Sequence, residues 1–242
     1  QGETLISNAA ADPEIQQLCQ MLNRMGANIS GIGSNTLTIQ GVDSLKSIEN
    51  IAVIPDRIEA GTFLIAAAAI GEKVKVANII PEHLESVVQC LKKANVNIEV
   101  SDNSITVQSD NKNISSTNIE TNEYPGFPTD LQAQWMMLMC LAKGTSTIKE
   151  NIYYDRFTHI MELNRLGCNI KLEDSIDIIE VDRSLIGADV MSTDIRASAA
   201  LIIAALCAKG TTKISRVYHI DRGYDKIEEK LTNIGAEIFR KK

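Results

Sequence analysis

The sequence predicts an α/β fold turned inside out, an α/β barrel with wholly apolar helices at its centre and sheets plus amphipathic helices outside. Three observations predict it. The runs Ala60–Ile70, Trp135–Ala142 and Ala197–Ala208 are apolar all round, and a helix without a solvent face belongs inside the protein. Each run is closed by a glycine: Gly71, Gly144 and Gly210. The order amphipathic helix, strand pair, polar stretch, apolar helix also recurs, with Gly26, Asn95, Gly167 and Gly235 ending the amphipathic helices at separations of 69, 72 and 68 residues. A fixed period of about 70 residues marks a repeat architecture.

The first copy opens at Asp12-Pro13-Glu14, a helix N-cap followed by proline at the first helical position. Ile15, Leu18, Cys19, Leu22 and Met25 form one helical face. Strands follow at Asn28–Ser30 and Thr36–Ile39, with Gly31, Gly33 and Asn35 supplying the turn. Pro55-Asp56-Arg57-Ile58-Glu59 then introduces the first apolar helix. In the second copy Pro81–Ala94 is amphipathic, Asn97–Val100 and Ser104–Val107 are strands, and Phe127-Pro128-Thr129-Asp130 leads into the Met-rich apolar run. The third copy has a helix from Asp155 through Leu163, strands at Asn169–Leu172 and Asp177–Val181, and Met191-Ser192-Thr193-Asp194-Ile195-Arg196 before its apolar helix. Gly223–Phe239 is a half copy.

Composition removes several functions. The 242 residues carry a net charge of −7 and only 4% aromatics, so the chain lacks the basic footprint of nucleic-acid binding. The apolar runs fall short of the roughly twenty residues needed to cross a bilayer, and no secretory signal precedes them. Five cysteines without a CxxC pair argue against a disulfide framework or zinc site and for a reducing compartment, read here as the cytoplasm. His83, His159 and His219 show no metal spacing. Neither a cofactor nor a metal is predicted. Gln1 in place of methionine reads as a processed, tagged or excised chain.

The polar residues at the mouths of the apolar helices are the candidates for chemistry. Aligning Ala60, Ala133 and Ala197 puts Arg57, Asp130 and Asp194 at one equivalent position and Glu59, Gln132 and Arg196 at another. The scaffold repeats while its polar contents differ. Arg196 sits in a first helical turn, where the dipole favours negative charge by roughly 0.3–1 kcal/mol; it is either one partner of an ion pair or a functional cation. Asp130 is either a cap or a carboxylate whose pKa burial raises into the range of a general base. Arg156, Arg196 and Arg222 all lie at junctions between elements, and converging guanidinium groups would hold a carboxylate or phosphate in bidentate fashion.

Four segments together carry a resemblance: Pro55-Asp56-Arg57-Ile58-Glu59-Ala60-Gly61-Thr62, Phe127-Pro128-Thr129-Asp130-Leu131-Gln132-Ala133-Gln134, Thr193-Asp194-Ile195-Arg196-Ala197-Ser198-Ala199 and His219-Ile220-Asp221-Arg222-Gly223-Tyr224. In order and spacing the chain resembles the UDP-N-acetylglucosamine enolpyruvyl transferases of peptidoglycan synthesis. The related enzymes acting on shikimate 3-phosphate share the fold but have Asp-His-Arg where this chain has Asp194-Ile195-Arg196. The resemblance implies transfer of the enolpyruvyl group of phosphoenolpyruvate to the sugar 3-hydroxyl with release of phosphate. Asp130 would accept the hydroxyl proton. Arg196 and Arg222 would clamp the phosphoenolpyruvate carboxylate, Arg156 and the backbone of Ile152 would contact the sugar nucleotide, and Thr129, Asp194 and Arg57 would complete the substrate site. The family's lysine-asparagine pair and cysteine loop are absent from these residues. The resemblance therefore implies residues 1–52 as the last portion of a first domain, residues 53–242 as most of a second, and a partner in the missing N-terminal part. By itself the 242-residue chain is expected to be silent; the competing reading is a truncated paralogue that only binds a sugar nucleotide or a partner protein.

Overall fold

The structure is a computed structural model that describes residues 2–71, 73–173, 176–180 and 184–241. The first unit comprises strand β1 (Glu3–Ser7), helix α1 (Pro13–Arg24), β2 (Asn28–Ser30) and β3 (Thr36–Gln40), leading to helix α2 (Arg57–Ile70). The second has β4 (Lys73–Ala77), a 3₁₀ turn at Pro81–Leu84, α3 (Glu85–Lys93), β5 (Asn97–Ser101), β6 (Ser104–Gln108), β7 (Ile119–Glu120), a 3₁₀ turn at Thr129–Leu131 and α4 (Gln132–Met139). The third has β8 (Thr145–Lys149), α5 (His159–Arg165), β9 (Ile170–Glu173), β10 (Ile176–Glu180), β11 (Asp189–Met191) and α6 (Ile195–Cys207). β12 (Lys213–Ser215), a 3₁₀ helix at Val217–Arg222 and α7 (Ile227–Asn233) close the chain. Val181, expected to end a strand, lies outside the described residues, as does Gln1.

The sheets run in the orders β1-β3-β2, β4-β6-β5, β7-β8-β10-β9 and β11-β12. Equivalent pairs recur: Ile29 faces Ile39 in the first sheet, Ile98 faces Val107 in the second, and Ile170 faces Ile179 in the third. Inside them α2, α4 and α6 pack on one another. Leu64, Ile65, Trp135, Met136, Met137, Leu138, Ala199, Ala200 and Leu201 are fully buried, which is why these helices are apolar all round. The alanines of α2 permit close approach; a Cβ on Gly61 would meet Leu131 Cδ1 at 2.4 Å. The repeat anchors Gly26, Asn95, Gly167 and Gly235 are all left-handed.

Several expectations shift. Pro81–Ala94 is not one helix but a 3₁₀ turn followed by α3, and the helix expected from Asp155 begins at His159. Asp12 precedes α1 without capping it, because its carboxylate bonds Arg57. The apolar face of α1 is largely uncovered: Cys19 is buried with Ile29 and Leu37 in a small core of its own, while Leu18 remains 47% exposed. The helix caps also move the alignment by one residue. Asp56 accepts from Ile58 N and Glu59 N at 2.7 and 3.0 Å, and Asp194 accepts from Arg196 N and Ala197 N at 2.7 and 2.9 Å. Asp194 thus corresponds to Asp56 rather than to Arg57, and Asp130 does not cap at all.

Candidate active site

Pro128, in extended conformation, turns the chain into the 3₁₀ turn that carries Thr129 and Asp130 into the mouth of α4. The turn after β8 delivers Arg156, and the first turn of α6 delivers Arg196. Arg156 Nη1 donates to Asp130 Oδ1 at 2.7 Å and to Thr129 Oγ1 at 3.1 Å. Arg196 Nη2 donates to Asp130 Oδ2 at 3.3 Å. One carboxylate is therefore shared by two guanidinium groups. The side chains keep 35% (Asp130), 21% (Arg156) and 18% (Arg196) of their surface open, so the cluster is partly buried yet reachable. Asp130 and the Asp194 cap supply the negative charge that the dipole of α6 favours, and this offsets the placement of Arg196 in its first turn.

Electrostatics reverse one expectation. Burial pushes the Asp130 carboxyl up, but Arg196 and Arg156 together outweigh it and hold the group below the usual carboxylate value. Asp130 is ionised at neutral pH rather than poised near it. Burial lowers Arg196, but the neighbouring Tyr224 and Asp130 outweigh it and hold the guanidinium above its ordinary value.

Behind Arg196 lies a buried chain of polar groups that sequence reasoning missed. Arg196 sits 5.7 Å from the Tyr224 ring centroid, and its Nη1 donates to the Tyr224 hydroxyl at 3.4 Å. The Thr62 hydroxyl donates its one proton to Ile58 O at 2.9 Å. The 2.8 Å bond between Thr62 and Tyr224 must then be donated by tyrosine. Gln134 Nε2 completes the group, its two protons serving three acceptors: Thr62 at 3.0 Å, Tyr224 at 3.3 Å and Asp130 O at 3.1 Å. Burial raises the Tyr224 phenol, which keeps it neutral and able to donate. Thr62, Gln134 and Tyr224 each end one of the four resemblance segments, but no role was read for them; a threonine and a glutamine inside otherwise apolar helices were the available signal.

Glu150 was also missed. It is 2% exposed, and its Oε1 accepts from Thr121 Oγ1 at 2.6 Å, Ile152 N at 2.9 Å and Tyr153 N at 3.0 Å. Its Oε2 accepts from Thr129 Oγ1 at 3.0 Å. The Ile152 N–H is thereby occupied, leaving the carbonyl as its backbone group for a ligand.

Two predicted residues stand apart. Arg57 bonds Asp12 at 2.6 Å and Glu14 at 2.9 Å and is not brought to Asp130. Arg222 is exposed, and its side chain makes no hydrogen bond or ion pair with the described residues. Its neighbour Gly223 approaches the cluster closely, since a Cβ there would lie 3.0 Å from Ile195 Cγ2 and 3.7 Å from Arg196 Nη1. His159, fully buried, has both ring nitrogens without a partner among the described residues; burial lowers its pKa to about 4, against the pull of Asp194 and with that of Arg156. Among the described residues no group of three or more His, Cys, Asp or Glu side chains could hold a metal, and no helix is long and apolar enough to cross a membrane.

Known proteins resemble the chain throughout. It is 50% identical over 242 residues to a UDP-N-acetylglucosamine 1-carboxyvinyltransferase of Chlorobium luteolum, and 52% identical over 240 residues to that of Campylobacter fetus. These alignments span 100% and 99% of the chain but only 57% of each relative. Among solved structures, the enolpyruvyl transferase NikO from Streptomyces tendae matches with a TM-score of 0.88 at 26% identity, over 98% of this chain and 56% of that one. The EPSP synthase from Acinetobacter baumannii shares the fold, with a TM-score of 0.74 at 19% identity over 100% of this chain and 58% of its own. With residues 1–231 matching it and the helices-inside architecture in common, the chain belongs to the EPSP synthase (3-phosphoshikimate 1-carboxyvinyltransferase) family.

Proposed function

We propose that these residues form one wall of an enolpyruvyl transferase that moves the enolpyruvyl group of phosphoenolpyruvate to the 3-hydroxyl of UDP-N-acetylglucosamine and releases phosphate. The observation that carries this reading is the single carboxylate held between two arginines that still have donors to spare. Arg156 Nε and Nη2 and Arg196 Nε bond no described residue, so an arriving anion finds directed cationic donors beside an ionised base. Asp130 takes the hydroxyl proton as the oxygen adds to the phosphate-bearing carbon of phosphoenolpyruvate and the methylene carbon takes up a proton. Loss of a proton from that methyl and of phosphate from its neighbour then restores the double bond. Arg196, with Arg222 from the adjoining turn, holds the phosphoenolpyruvate carboxylate. Arg156, Thr129 and the Ile152 carbonyl face the sugar nucleotide.

This assignment couples binding to basicity. A carboxylate arriving at Arg196 competes with Asp130 for the guanidinium, and weakening the 3.3 Å bond raises the proton affinity of Asp130. The choice of acceptor rests on the relatives at about 50% identity, which are named for UDP-N-acetylglucosamine. With it come a role in the first committed step of peptidoglycan synthesis, hence in cell shape and division, and a cytoplasmic location. Residues 1–52, with their separate small core, are read as the end of a first domain and residues 53–242 as most of a second.

The test mixes the 242-residue chain with the separately expressed N-terminal part of the Campylobacter fetus relative and follows phosphate release from phosphoenolpyruvate. Release is expected from the mixture with UDP-N-acetylglucosamine as acceptor, and none from the chain alone. Turnover by the chain alone, preference for shikimate 3-phosphate, or sugar-nucleotide binding without any turnover in the mixture would each overturn the proposal.

A further inference from the structure

Three segments meet at Glu150: Thr121 after β7, Thr129 before α4, and the turn Ile152-Tyr153 that leads to Arg156. Its two oxygens do different work. Oε1 takes three donors and fastens the turn to the sheet, whereas Oε2 takes one, the Thr129 hydroxyl. Thr129 has a single hydroxyl proton, and Glu150 commits it. The lone pairs of Thr129 Oγ1 are thus aimed outward, where Arg156 Nη1 donates at 3.1 Å while also bonding Asp130 Oδ1 at 2.7 Å.

We infer that Glu150 is a positioning residue for Arg156: through the proton of Thr129 it fixes the guanidinium at the place where it holds Asp130. The importance of that place rests on the reading of Asp130 and Arg156 given above. The inference itself is local and can be separated from it. A glutamine at position 150 is directed by the majority of its neighbours, because its amide oxygen must face the three donors now at Oε1. Its NH₂ is left pointing at Thr129. Thr129 then loses its acceptor, and Arg156 shares the hydroxyl oxygen with a second donor.

The decisive measurement is the rate of rotation about the Cζ–Nη bonds of Arg156 in ¹⁵N-arginine spectra of the 242-residue chain, with the signal assigned through Arg156→Lys. Glu150→Gln is expected to accelerate this rotation at least about tenfold, the scale of one lost hydrogen bond to a charged group. Thr129→Val is expected to do the same, and adding Glu150→Gln to Thr129→Val to change nothing more. Unchanged rotation in Glu150→Gln, or an equal further acceleration in the Thr129→Val background, overturns the inference. A purely structural role for Glu150 would lower the melting temperature while leaving Arg156 rotation as it was. If Glu150→Gln fails to fold, Thr129→Val, which keeps the three bonds at Oε1, decides the matter alone, and unchanged rotation there is fatal. No substrate enters the measurement. Absence of UDP-N-acetylglucosamine binding by the unmutated chain would therefore count against the proposed function and not against this role.

Discussion

Two arginine-carboxylate clusters occupy the mouths of the inner helices, and they differ in which partner is in excess. At α2 one arginine, Arg57, serves two acids, Asp12 and Glu14, and ties the start of α2 to the start of α1. At α4 and α6 one acid, Asp130, serves two arginines. The first trio carries a net −1 and leaves carboxylate oxygens facing water; the second carries +1 and leaves guanidinium donors unspent. The same chemical types in the same layer of the repeat thus give a structural tie in one copy and, in the others, the cluster with spare cationic donors on which the proposed function rests. Stoichiometry, rather than residue type, separates them.

The largest test of that contrast is catalytic. In the mixture with the N-terminal part of a relative, Asp130→Asn should lower phosphate release by about 10²–10⁴-fold, the usual worth of a general base. Arg57→Gln should lower it by less than about threefold, since an ion pair of this kind acts on stability by at most about 1 kcal/mol per partner. Equal losses would erase the distinction.

Acid separates the regions further. His159 has a folded-state pKa of about 4 against 6.5 unperturbed, so the unfolded chain binds the proton first. Its contribution is intact above the unfolded value and shrinks as pH falls toward the folded one, reaching a loss of about 3 kcal/mol near pH 4. Asp130 is lowered from 3.8, so the stability it contributes is present above that value and is lost only below it. Urea unfolding between pH 7 and pH 4 should therefore report His159 and not Asp130, and His159→Gln should flatten the profile.

Smaller effects follow. Arg57→Leu leaves Asp12 and Glu14 facing each other and should cost about 1–2 kcal/mol in urea unfolding. Tyr224→Phe keeps the ring beneath Arg196 but removes the hydroxyl between Arg196 and Thr62, for about 1 kcal/mol in the same assay. A loss in Tyr224→Phe exceeding that in Arg57→Leu would mean that the second cluster is as structural as the first.

The architecture was legible because its signals are local. Glycine or asparagine at a left-handed helix end and a helix without a polar face both follow from backbone sterics and burial, and both recur at a readable spacing. Asp130 and Arg196 stood out for the opposite reason, because they interrupt the repeat, whereas Arg156 stood out only by lying at a junction between elements, as Arg222 does. Their partners were not, because Arg57 and Arg196 look alike until tertiary contacts decide how many acids each meets. The one-residue error in alignment arose from matching alanines, which pack alike at neighbouring positions, instead of the capping aspartates. Glu150 was readable in principle. β8 alternates exposed and buried residues, with Ser146 and Ile148 inward, and continuing that period by two places Glu150 on the inner side, where a carboxylate needs donors.

Repeat proteins ordinarily tolerate exchange of their units, because each touches its neighbours through similar surfaces. Here Thr62 comes from the first apolar helix, Gln134 from the second, Arg196 from the third and Tyr224 from the half copy, and each is a different kind of hydrogen-bonding group. Their protons run in one direction, from guanidinium to phenol to threonine to the Ile58 carbonyl. Such a chain has a beginning and an end, and no two of its members can trade places. The copies share a shape but no longer a position: moving one apolar helix into another's slot would strand donors against donors at the centre of the molecule.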